Sequence, residues 1–370
     1  MLPNHPTPSL YDLALTFVPE VGGKTIRVLL ARFGSAEAIF KASLSELKKV
    51  NGVGEVRAAM FKQAAIMERA QKEMEFVAKH QIQLLHFSSP DYPKRLKHCE
   101  DAPALLYYKG NANLNDAKII AVIGTRKNTD YGLRATEHLI EGLKTLENVI
   151  IISGLAAGID TIAHRAALKN GLQTVGVLGH SLDRIYPFTN SALAKEMIAH
   201  GGLLSEFPSG TKPDRQNFPV RNRIVAGLSD VTIITESDIK GGAMITAYMA
   251  VSYNRDVAAV PGRVFDSKSQ GPNSLIKRNM AASVADAQDV LQLMNWQADQ
   301  TKKTVQQKIF IDLSEEEQRI LNTLQDKEKL HADELLSATD FKASQLASVL
   351  LQLEMHGLVK TLPGKFYRLS

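Results

Sequence analysis

The sequence predicts an α/β protein whose central domain is an extended, Rossmann-like, doubly wound parallel sheet. From Lys118 onward, short runs rich in valine and isoleucine alternate with helical segments. Six such runs follow one another: IIAVIG, NVIIISG, QTVGVLG, GGLLSEF, VTIITES and DVAAVPG. Strands that are buried on both faces read as continuous apolar runs, and their alternation with helices indicates a parallel sheet covered on both sides.

The length of 370 residues predicts two or three domains. We place them as a helical domain at 1–88, the Rossmann-like domain at 89–298, a polar linker at 299–310 and a small domain at 311–370. No run approaches the roughly 18 apolar residues of a membrane span, so we expect a cytoplasmic protein without membrane association. Cys99 is the only cysteine and lacks neighbours at metal-ligand spacing, so we expect no disulfide and no metal.

The charge is spread too evenly to indicate a basic nucleic-acid-binding arm. The net charge is +5, which permits an acidic partner without requiring one. Basic residues outnumber acidic residues by 11 to 8 in residues 1–88 and by 23 to 21 in residues 89–300, and each type numbers 10 in residues 301–370. Any nucleic-acid contact must therefore come from a local arrangement of side chains.

The N-terminal domain is predicted to be helical, with two glycine-rich turns. The turn Val50-Asn51-Gly52-Val53-Gly54 joins two predicted helices in a pattern that resembles a helix-hairpin-helix of the SAM-like kind, and the turn at 21–24 is a weaker copy. In that motif, backbone N–H groups at a helix start face a phosphate. Because Glu55 stands where a basic residue would suit DNA better, we prefer a plain packing corner and keep DNA contact as the alternative.

The C-terminal domain is predicted to be a winged helix. Ser314 and Glu317 form a capping box before one helix, two further helices cover 331–337 and about 342–356, and a hairpin with Pro363-Gly364 at its turn covers 358–369. The presumed recognition helix, KASQLASVLLQLEMHG, carries one lysine and one glutamate among many leucines and alanines. This neutral helix favours protein contact over duplex DNA.

Ligands of a doubly wound sheet bind where the carboxyl ends of its strands open onto loops. Gly124, Thr125 and Arg126 follow the first predicted strand, and Ser153 and Gly154 follow the second. Glycine lets the backbone approach an anion, a hydroxyl donates a hydrogen bond, and arginine can bind a phosphate with two parallel hydrogen bonds. Both loops are therefore predicted to bind phosphate.

The densest group of candidate residues lies in 213–223. It consists of three arginines and two neighbours, Arg215, Phe218, Arg221, Asn222 and Arg223. Arginine suits phosphate contact and an aromatic ring supports an unpaired base, so this segment predicts single-strand recognition rather than duplex reading. The alternative is that Phe218 and one arginine are internal, packing the loop or pairing with Glu206.

Two more loops complete the predicted binding edge. One is GGAMIT at 241–246, with Gly242 at a helix start, and the other is GPNSLIK at 271–277, from which Lys277 could reach the same cleft. The sequence contains neither a GxxxxGK[ST] loop nor a GxGxxG fingerprint with its downstream acid, so we expect no nucleotide cofactor. Asp160 and His164 stand at i and i+4, and we interpret them as a helix cap and its partner rather than as a catalytic pair.

Six ordered blocks of the chain resemble the DprA/Smf family of DNA-processing proteins. They are AVIGTRKNTDYG, SGLAAGIDTIAHRAAL, GVLGHSLDRIYPFTN, LLSEFPSGTKPDRQNFPVRNRIVAGLSD, GGAMITAYMA and AVPGRVFDSKSQGPNSLI. The resemblance implies a non-enzymatic, homodimeric protein that binds and protects single-stranded DNA and loads the RecA recombinase during natural transformation. It matches both phosphate loops and the 215–223 segment to the family's strand-binding residues, and Lys277 more weakly.

Two departures from the family pattern and two rival functions qualify this resemblance. GGAMIT stands where the family commonly has Ser-Gly-Ser-Leu-Ile-Thr, which removes two hydroxyl donors, and His180 stands where a small residue is usual. A nucleoside-monophosphate hydrolase-like enzyme is the first rival, but no acidic residue follows Thr246 until Asp256. The second rival is a protein-interaction hub that uses the neutral winged helix as its docking face.

Overall fold

The computed structural model describes residues 8–296, 313–324, 329–356, 358–362 and 364–369. The chain divides into two compact units, residues 1–300 and 301–370. The predicted linker at 299–310 lies outside the described residues. None of the helices described is long and apolar enough to cross a membrane.

The first unit begins with helices and continues as a mixed, then parallel, α/β fold. Its helical part comprises α1 Leu10–Thr16, α2 Gly23–Phe33, α3 Ala36–Lys41, α4 Leu44–Lys48, α5 Glu55–Met60 and α6 Ala64–Lys79. The next elements are β1 Gln83–His86, α7 Lys94–Lys97 and β2 Leu105–Gly110. The alternating part comprises β3 Lys118–Ile123, α8 Asp130–Leu143, β4 Val149–Ser153, α9 Ile159–Lys169, β5 Gln173–Leu178, α10 Ser191–Ala199, β6 Gly201–Ser205, α11 Asn217–Leu228, β7 Val231–Ile234, α12 Gly242–Ser252, β8 Asp256–Ala259, α13 Gln270–Lys277, β9 Ala282–Ser283 and α14 Ala287–Leu293.

The strand order confirms the predicted doubly wound sheet. Within the described residues the sheet runs β1-β2-β6-β5-β4-β3-β7-β8-β9, and its seven strands from β6 to β9 are parallel. The chain moves outward from β3 to β6 and then returns to the other side of β3 with β7. The loops that follow β3 and β7 therefore diverge, which opens a crevice at the carboxyl edge between them.

Three strands that the sequence pattern did not predict extend the sheet: β1 and β2 at one edge and β9 at the other. β1 pairs antiparallel with β2, and β2 pairs antiparallel with β6. β1 has only four residues, and β2, LLYYKG, stands outside the regular alternation of strands and helices. Because β1 lies inside the segment 1–88, the sheet begins earlier in the chain than the predicted domain boundary.

The alternation of side chains in β1 and β2 joins the helical part to the sheet. On one face, Leu84 and Tyr107 pack into the core that the N-terminal helices form. On the other face, Leu85, Leu106 and Tyr108 pack into the core of the parallel sheet. Successive residues of a strand point to opposite faces, so two strands of this composition serve two cores at once.

The two glycine-rich turns of the helical part have different surroundings. The second turn joins α4 to α5 with Gly52 in the left-handed region, at φ 87°, and Lys48 forms an ion pair with Glu55 across it. At the first turn, a Cβ on Gly23 would lie 2.5 Å from the carbonyl oxygen of Ala102. This weaker copy of the hairpin motif therefore packs against the backbone before β2 instead of opening to solvent.

The second unit is a winged helix, as predicted. It comprises α15 Glu315–Leu324, β10 Leu330–His331, α16 Ala332–Thr339, α17 Ala343–Met355, β11 Val359–Leu362 and β12 Phe366–Leu369. The sheet order is β10-β12-β11. The predicted capping box is present, because the Ser314 N–H donates to Glu317 and the Glu317 N–H donates to the Ser314 hydroxyl. Pro363 lies outside the described residues.

Candidate nucleic-acid interface

A cleft of about 520 Å³ lies at the carboxyl edge of the sheet, at the crevice where the strand order reverses. The residues that line it come from the loops after β3, β4 and β7 and from the segment that enters α11. They include Gly124, Thr125, Arg126, Gly154, Asp160, Arg215, Phe218, Arg221, Asn222, Ser237, Asp238, Gly242 and Thr246. The fold thus brings together most of the candidate residues predicted from four separate stretches of sequence.

Arg126 and Phe218 form the centre of this cleft. The guanidinium carbon of Arg126 lies 5.1 Å from the centroid of the half-buried Phe218 ring, which is a cation–π distance. Gly179, just after β5, leaves room for the ring, since a Cβ there would lie 2.9 Å from Phe218 Cδ1. The cleft therefore presents an aromatic ring next to an exposed positive charge.

A second free positive charge comes from Arg215, which is exposed and lines the same cleft. In the part of the chain that the structure describes, neither Arg126 nor Arg215 pairs with a carboxylate. Asp238, an acidic residue of the cleft, is paired with Lys268 at 2.8 Å. The two arginines therefore remain available to an anionic ligand.

The start of α12 faces the cleft and has no side-chain cap. Gly242 is exposed there, and a Cβ on it would meet nothing within 4 Å. The first N–H groups of a helix have no intrahelical partner and carry the positive end of the helix dipole. Although GGAMIT lacks the hydroxyls common in the family, its backbone offers an anion site of the kind found at helix starts.

Arg221 lies under the cleft as a positioning residue. Its side chain is only 4% exposed, and its Nη1 donates to the carbonyl oxygens of Gly154, at 2.5 Å, and Val177. Its Nε donates to the side-chain oxygen of Asn222. Burial lowers the pKa of Arg221 to about 10, and the nearby Asp160 opposes this shift, so the guanidinium is charged at neutral pH. Its donors are directed into the protein instead of toward solvent.

The loop after β4 uses its own donors internally. The Ser153 hydroxyl is fully buried and donates to the carbonyl oxygen of Val122 at 2.7 Å. The N–H groups of Gly154 and Ala156 both donate to the carboxylate of Asp160, at 3.1 and 3.3 Å. Asp160 thus caps this loop and not α9, which has no side-chain cap. His164 bonds to Thr174 instead of Asp160, so the interpretation of the two residues as a helix cap and its partner is wrong.

Close backbone packing shapes the loop after β3. The Thr125 N–H donates to the Glu236 carbonyl oxygen at 2.7 Å, and the Ile159 N–H donates to the Thr125 carbonyl oxygen at 3.2 Å. A Cβ on Gly158 would lie 2.3 Å from that Thr125 oxygen, and Gly158 has φ 82°. Glycine at 158 is therefore required for the loop to hold Arg126 at the mouth of the cleft.

Besides the buried Ser153, two candidate residues lie away from the cleft. Arg223 is mostly buried, pairs with Glu206 and donates to the Asp101 carbonyl oxygen, which is the internal pairing weighed for one of the three arginines. Lys277 is exposed at the last residue of α13. It stands about 10 Å along that helix from the end that packs against Ser237, so it lies outside the lining of the cleft.

Matches to known protein families agree with this arrangement. The family described as DNA recombination-mediator protein A matches residues 83–295, which is more than half of the chain. The chain belongs to the DprA/Smf family. Residues 311–365 match the DprA winged helix domain, and residues 12–65 match a SAM-like helix-hairpin-helix tandem.

Individual members of the family cover the chain to different extents. Protein Smf of Synechocystis sp. is 31% identical over 97% of this chain and 98% of its own length. The DNA processing protein DprA of Bacillus subtilis is 40% identical over 57% of this chain and 71% of its own length. The similarity to the Synechocystis protein thus extends across all the domains.

Two solved structures of the family share the fold. DNA processing protein A from Streptococcus pneumoniae superposes with a TM-score of 0.63 at 31% identity, over 78% of this chain and 98% of that one. DNA processing protein A from Helicobacter pylori, whose structure concerns its single-stranded DNA binding mode, gives a TM-score of 0.52 at 33% identity, over 58% of this chain and 96% of that one.

Several residues that shape the cleft were not among the predicted site residues. Gly158 and Gly179 are required by close packing, while Ser237 and Asp238 line the cleft after β7. The glycines are visible in the sequence as the residues that end small, glycine-rich runs after predicted strands. The residues that they pack against, Thr125 and Phe218, are remote in sequence. The sequence alone therefore does not show that glycine is required at these two positions.

Proposed function

We propose that the protein binds single-stranded DNA in the cleft centred on Arg126 and Phe218. The single observation that carries this proposal is the Arg126 guanidinium over the Phe218 ring at 5.1 Å, beside the free Arg215 and the uncapped start of α12. Such a group neutralises phosphates and offers a π face to an unpaired base, whereas the faces of duplex bases are covered by their neighbours. The single-stranded DNA binding mode of the Helicobacter pylori relative supports the same ligand.

The proposal extends to a mediator role, which family membership supports. In it, a cytoplasmic homodimer protects incoming single strands and loads the RecA recombinase during natural transformation, and the winged helix contacts protein. Residues 83–295 match a family described as a recombination-mediator protein, in keeping with this role. Sedimentation at several protein concentrations tests the homodimer, and strand exchange with coated single strands tests recombinase loading.

We also propose that the protein binds DNA without catalysing a reaction. The cleft's two carboxylates are already engaged, since Asp160 accepts two backbone N–H groups and Asp238 pairs with Lys268. A hydrolase of nucleoside monophosphates needs a carboxylate that is free to act on the substrate. Release of ribose phosphate from AMP by the purified protein would contradict this part of the proposal.

The binding experiment compares single-stranded and duplex oligonucleotides by fluorescence anisotropy across a salt series. We expect Arg126→Ala and Arg215→Ala each to weaken single-strand binding about tenfold and to reduce the log–log salt slope by about 0.7, the value for one lost phosphate contact. Arg165→Ala, which removes an exposed arginine further along α9, is the matched control and should behave like the wild type. Equal losses in all three variants, or equal affinity for duplex, would reject the cleft as a single-strand site.

A further inference from the structure

The loop between β5 and α10 carries two aromatic side chains that the hydrophobic cores do not use. Tyr186 is 48% exposed and Phe188 is 84% exposed, whereas their neighbour Ile185 packs against the core around β5 and α10. Ile185 therefore anchors the loop, and the two rings project from it. Large apolar rings that are exposed together next to a binding cleft mark an interaction surface.

The Tyr186 ring continues directly from the cleft. The Tyr186 ring stacks beside Phe218, with centroids 6.1 Å apart and planes inclined by 29°. Arg126 lies over the same Phe218 ring, so Arg126, Phe218 and Tyr186 form a row. Phe188 follows Tyr186 by two residues. Since β5 lies two strands from β3 and on the side away from β7, the row leads out of the cleft along the carboxyl edge of the sheet.

The loop is held in place by hydrogen bonds at both ends. At its start, the Ser181 hydroxyl donates to the Thr211 carbonyl oxygen, and Asp183 accepts the N–H of Gly210. At its end, the buried Asn190 donates to the Leu155 carbonyl oxygen and the Thr161 hydroxyl, which ties the turn that begins at Phe188 to α9 and the loop after β4. The rings are therefore presented on a braced loop, which lowers the entropy cost of ordering them around a ligand.

We propose that Tyr186 and Phe188 form a second base-stacking site, which binds the unpaired bases of a single strand as the strand leaves the cleft past Phe218. This inference rests on the proposed single-strand binding. Each base has a π face, so stacking on these rings requires no particular base sequence. The site predicts that affinity depends on strand length, because only a strand that extends beyond the cleft reaches the two rings.

The test compares oligo-dT strands of about four and about twelve nucleotides, lengths within the range that small single-strand sites cover. We expect Phe188→Ala to leave the Kd of the short strand within about twofold of wild type and to weaken the long strand about five- to tenfold. Tyr186→Ala, which also removes the ring stacked beside Phe218, should weaken the long strand at least as much. The matched control is Phe265→Ala, which removes a 96% exposed phenyl ring from the loop after β8, on the opposite side of β7. It should change neither Kd.

A second readout separates stacking from general apolar contact. Phe188→Leu should lose as much long-strand affinity as Phe188→Ala, and Phe188→Trp should retain it. In a Trp296→Phe background, which removes the only native tryptophan, the fluorescence of the Phe188→Trp protein should be quenched by a long strand and unchanged by an abasic strand of equal length. Quenching by both strands would overturn base stacking.

The experiments distinguish failure of the second stacking site from failure of the proposed function. If wild-type protein prefers single strands in an Arg126-dependent manner but Phe188→Ala and Tyr186→Ala bind the long strand normally, the second site is wrong and the proposed function stands. Equal losses of Phe188→Ala on both strand lengths, or an equal loss in Phe265→Ala, would also overturn it. If Phe188→Ala shifts the sedimentation coefficient toward a smaller species without changing either Kd, Phe188 contacts a second copy of the chain instead of DNA.

Discussion

At the residue scale, the arginines of the 215–223 segment have three different environments although the sequence presents them alike. Arg215 is exposed in the cleft, Arg221 is buried beneath it, and Arg223 pairs with Glu206 on another side of α11. Their sequence pattern predicted that all three contact the strand, with one internal arginine as the alternative. The partners of each guanidinium determine whether that arginine is available to a ligand or supports the fold.

Arg221→Ala should destabilise the protein rather than merely weaken its ligand binding. The substitution leaves the buried Asp160 carboxylate without its positive neighbour and removes two hydrogen bonds to backbone carbonyls. Leaving a buried carbonyl oxygen without its donor typically costs about 1–3 kcal/mol of the free energy of unfolding for each group. Urea denaturation followed by circular dichroism measures the loss. Arg215→Ala, which removes an exposed arginine of the same segment, should change the free energy of unfolding by less than about 0.5 kcal/mol.

His164 should make the stability of the first unit fall in acid. Thr174 donates its hydroxyl to the Ile151 carbonyl oxygen, so the His164 Nδ1–H donates to Thr174, and Nε2 is left bare and buried without a partner among the described residues. Burial, reinforced by Arg221, lowers the pKa of His164 to about 3. The imidazole is therefore held neutral in the folded protein.

The sign of this pH dependence follows from proton uptake. Between about pH 3 and pH 6.5 the unfolded chain binds the His164 proton and the folded chain does not, so stability is present above pH 6.5 and is lost as the pH falls. The contribution is about 2 kcal/mol between pH 7 and pH 5. Denaturation at both pH values, with His164→Gln as the comparison, measures it. An unchanged difference between the two pH values in His164→Gln would contradict the assignment.

At the scale of elements, the cleft depends on how closely the loop after β3 packs against the start of α9. Gly158 combines a left-handed backbone with a contact that leaves no space for a side chain, because its Cβ would lie 2.3 Å from the Thr125 oxygen. Gly171, at the other end of α9, has φ 71° but open space around it. Alanine substitutions at the two positions therefore distinguish the cost of a left-handed backbone from the cost of a steric clash.

Gly158→Ala should both destabilise the protein and weaken single-strand binding, because the clash displaces the loop that carries Arg126. Gly171→Ala should cost only the about 1–2 kcal/mol of a left-handed alanine and leave binding unchanged. Denaturation and anisotropy on the same preparations test both statements. If Gly158→Ala bound single strands as tightly as Gly171→Ala, the position of the loop would not control the cleft.

At this scale, the sequence predicts the elements whose residue pattern is local. Continuous apolar runs predicted all the strands from β3 to β8, and the capping residues of α15 were recognised from Ser314 and Glu317. β1 and β2 escaped prediction because β2 is stabilised by pairing with β6, β1 by pairing with β2, and both by two cores that are remote in sequence. Such stability leaves little local signal.

At the scale of the whole molecule, the cleft and its supporting residues all belong to the first unit. The helical part is braced against the segment that leads into α11, since Glu73, fully buried and paired with Arg69, accepts hydrogen bonds from the Ser209 N–H and hydroxyl. The second unit has its own core of buried side chains. Each unit therefore has the internal contacts that independent folding requires.

Removal of residues 301–370 should leave single-strand affinity within about twofold of the full chain. The reason is that the cleft residues and their hydrogen-bond partners all lie in residues 1–300. If the winged helix contacts protein as proposed, the same truncation should weaken recombinase loading. Anisotropy and strand exchange measure the two effects, and parallel loss of both would show that the winged helix contributes to DNA binding.

By itself, the sequence determined the doubly wound sheet, the winged helix, the family and the loops that line the cleft, because each depends on local periodicity or on ordered motifs. Tertiary structure decided the role of each residue around the Arg126 and Phe218 centre of the cleft. It directed Arg221 and Ser153 into the protein, engaged the donors of the loop after β4 with Asp160, and left the start of α12 open. The physical reason is that a hydrogen-bonding group can bind a ligand only when the folded chain has not already satisfied it, and those partners are distant in sequence.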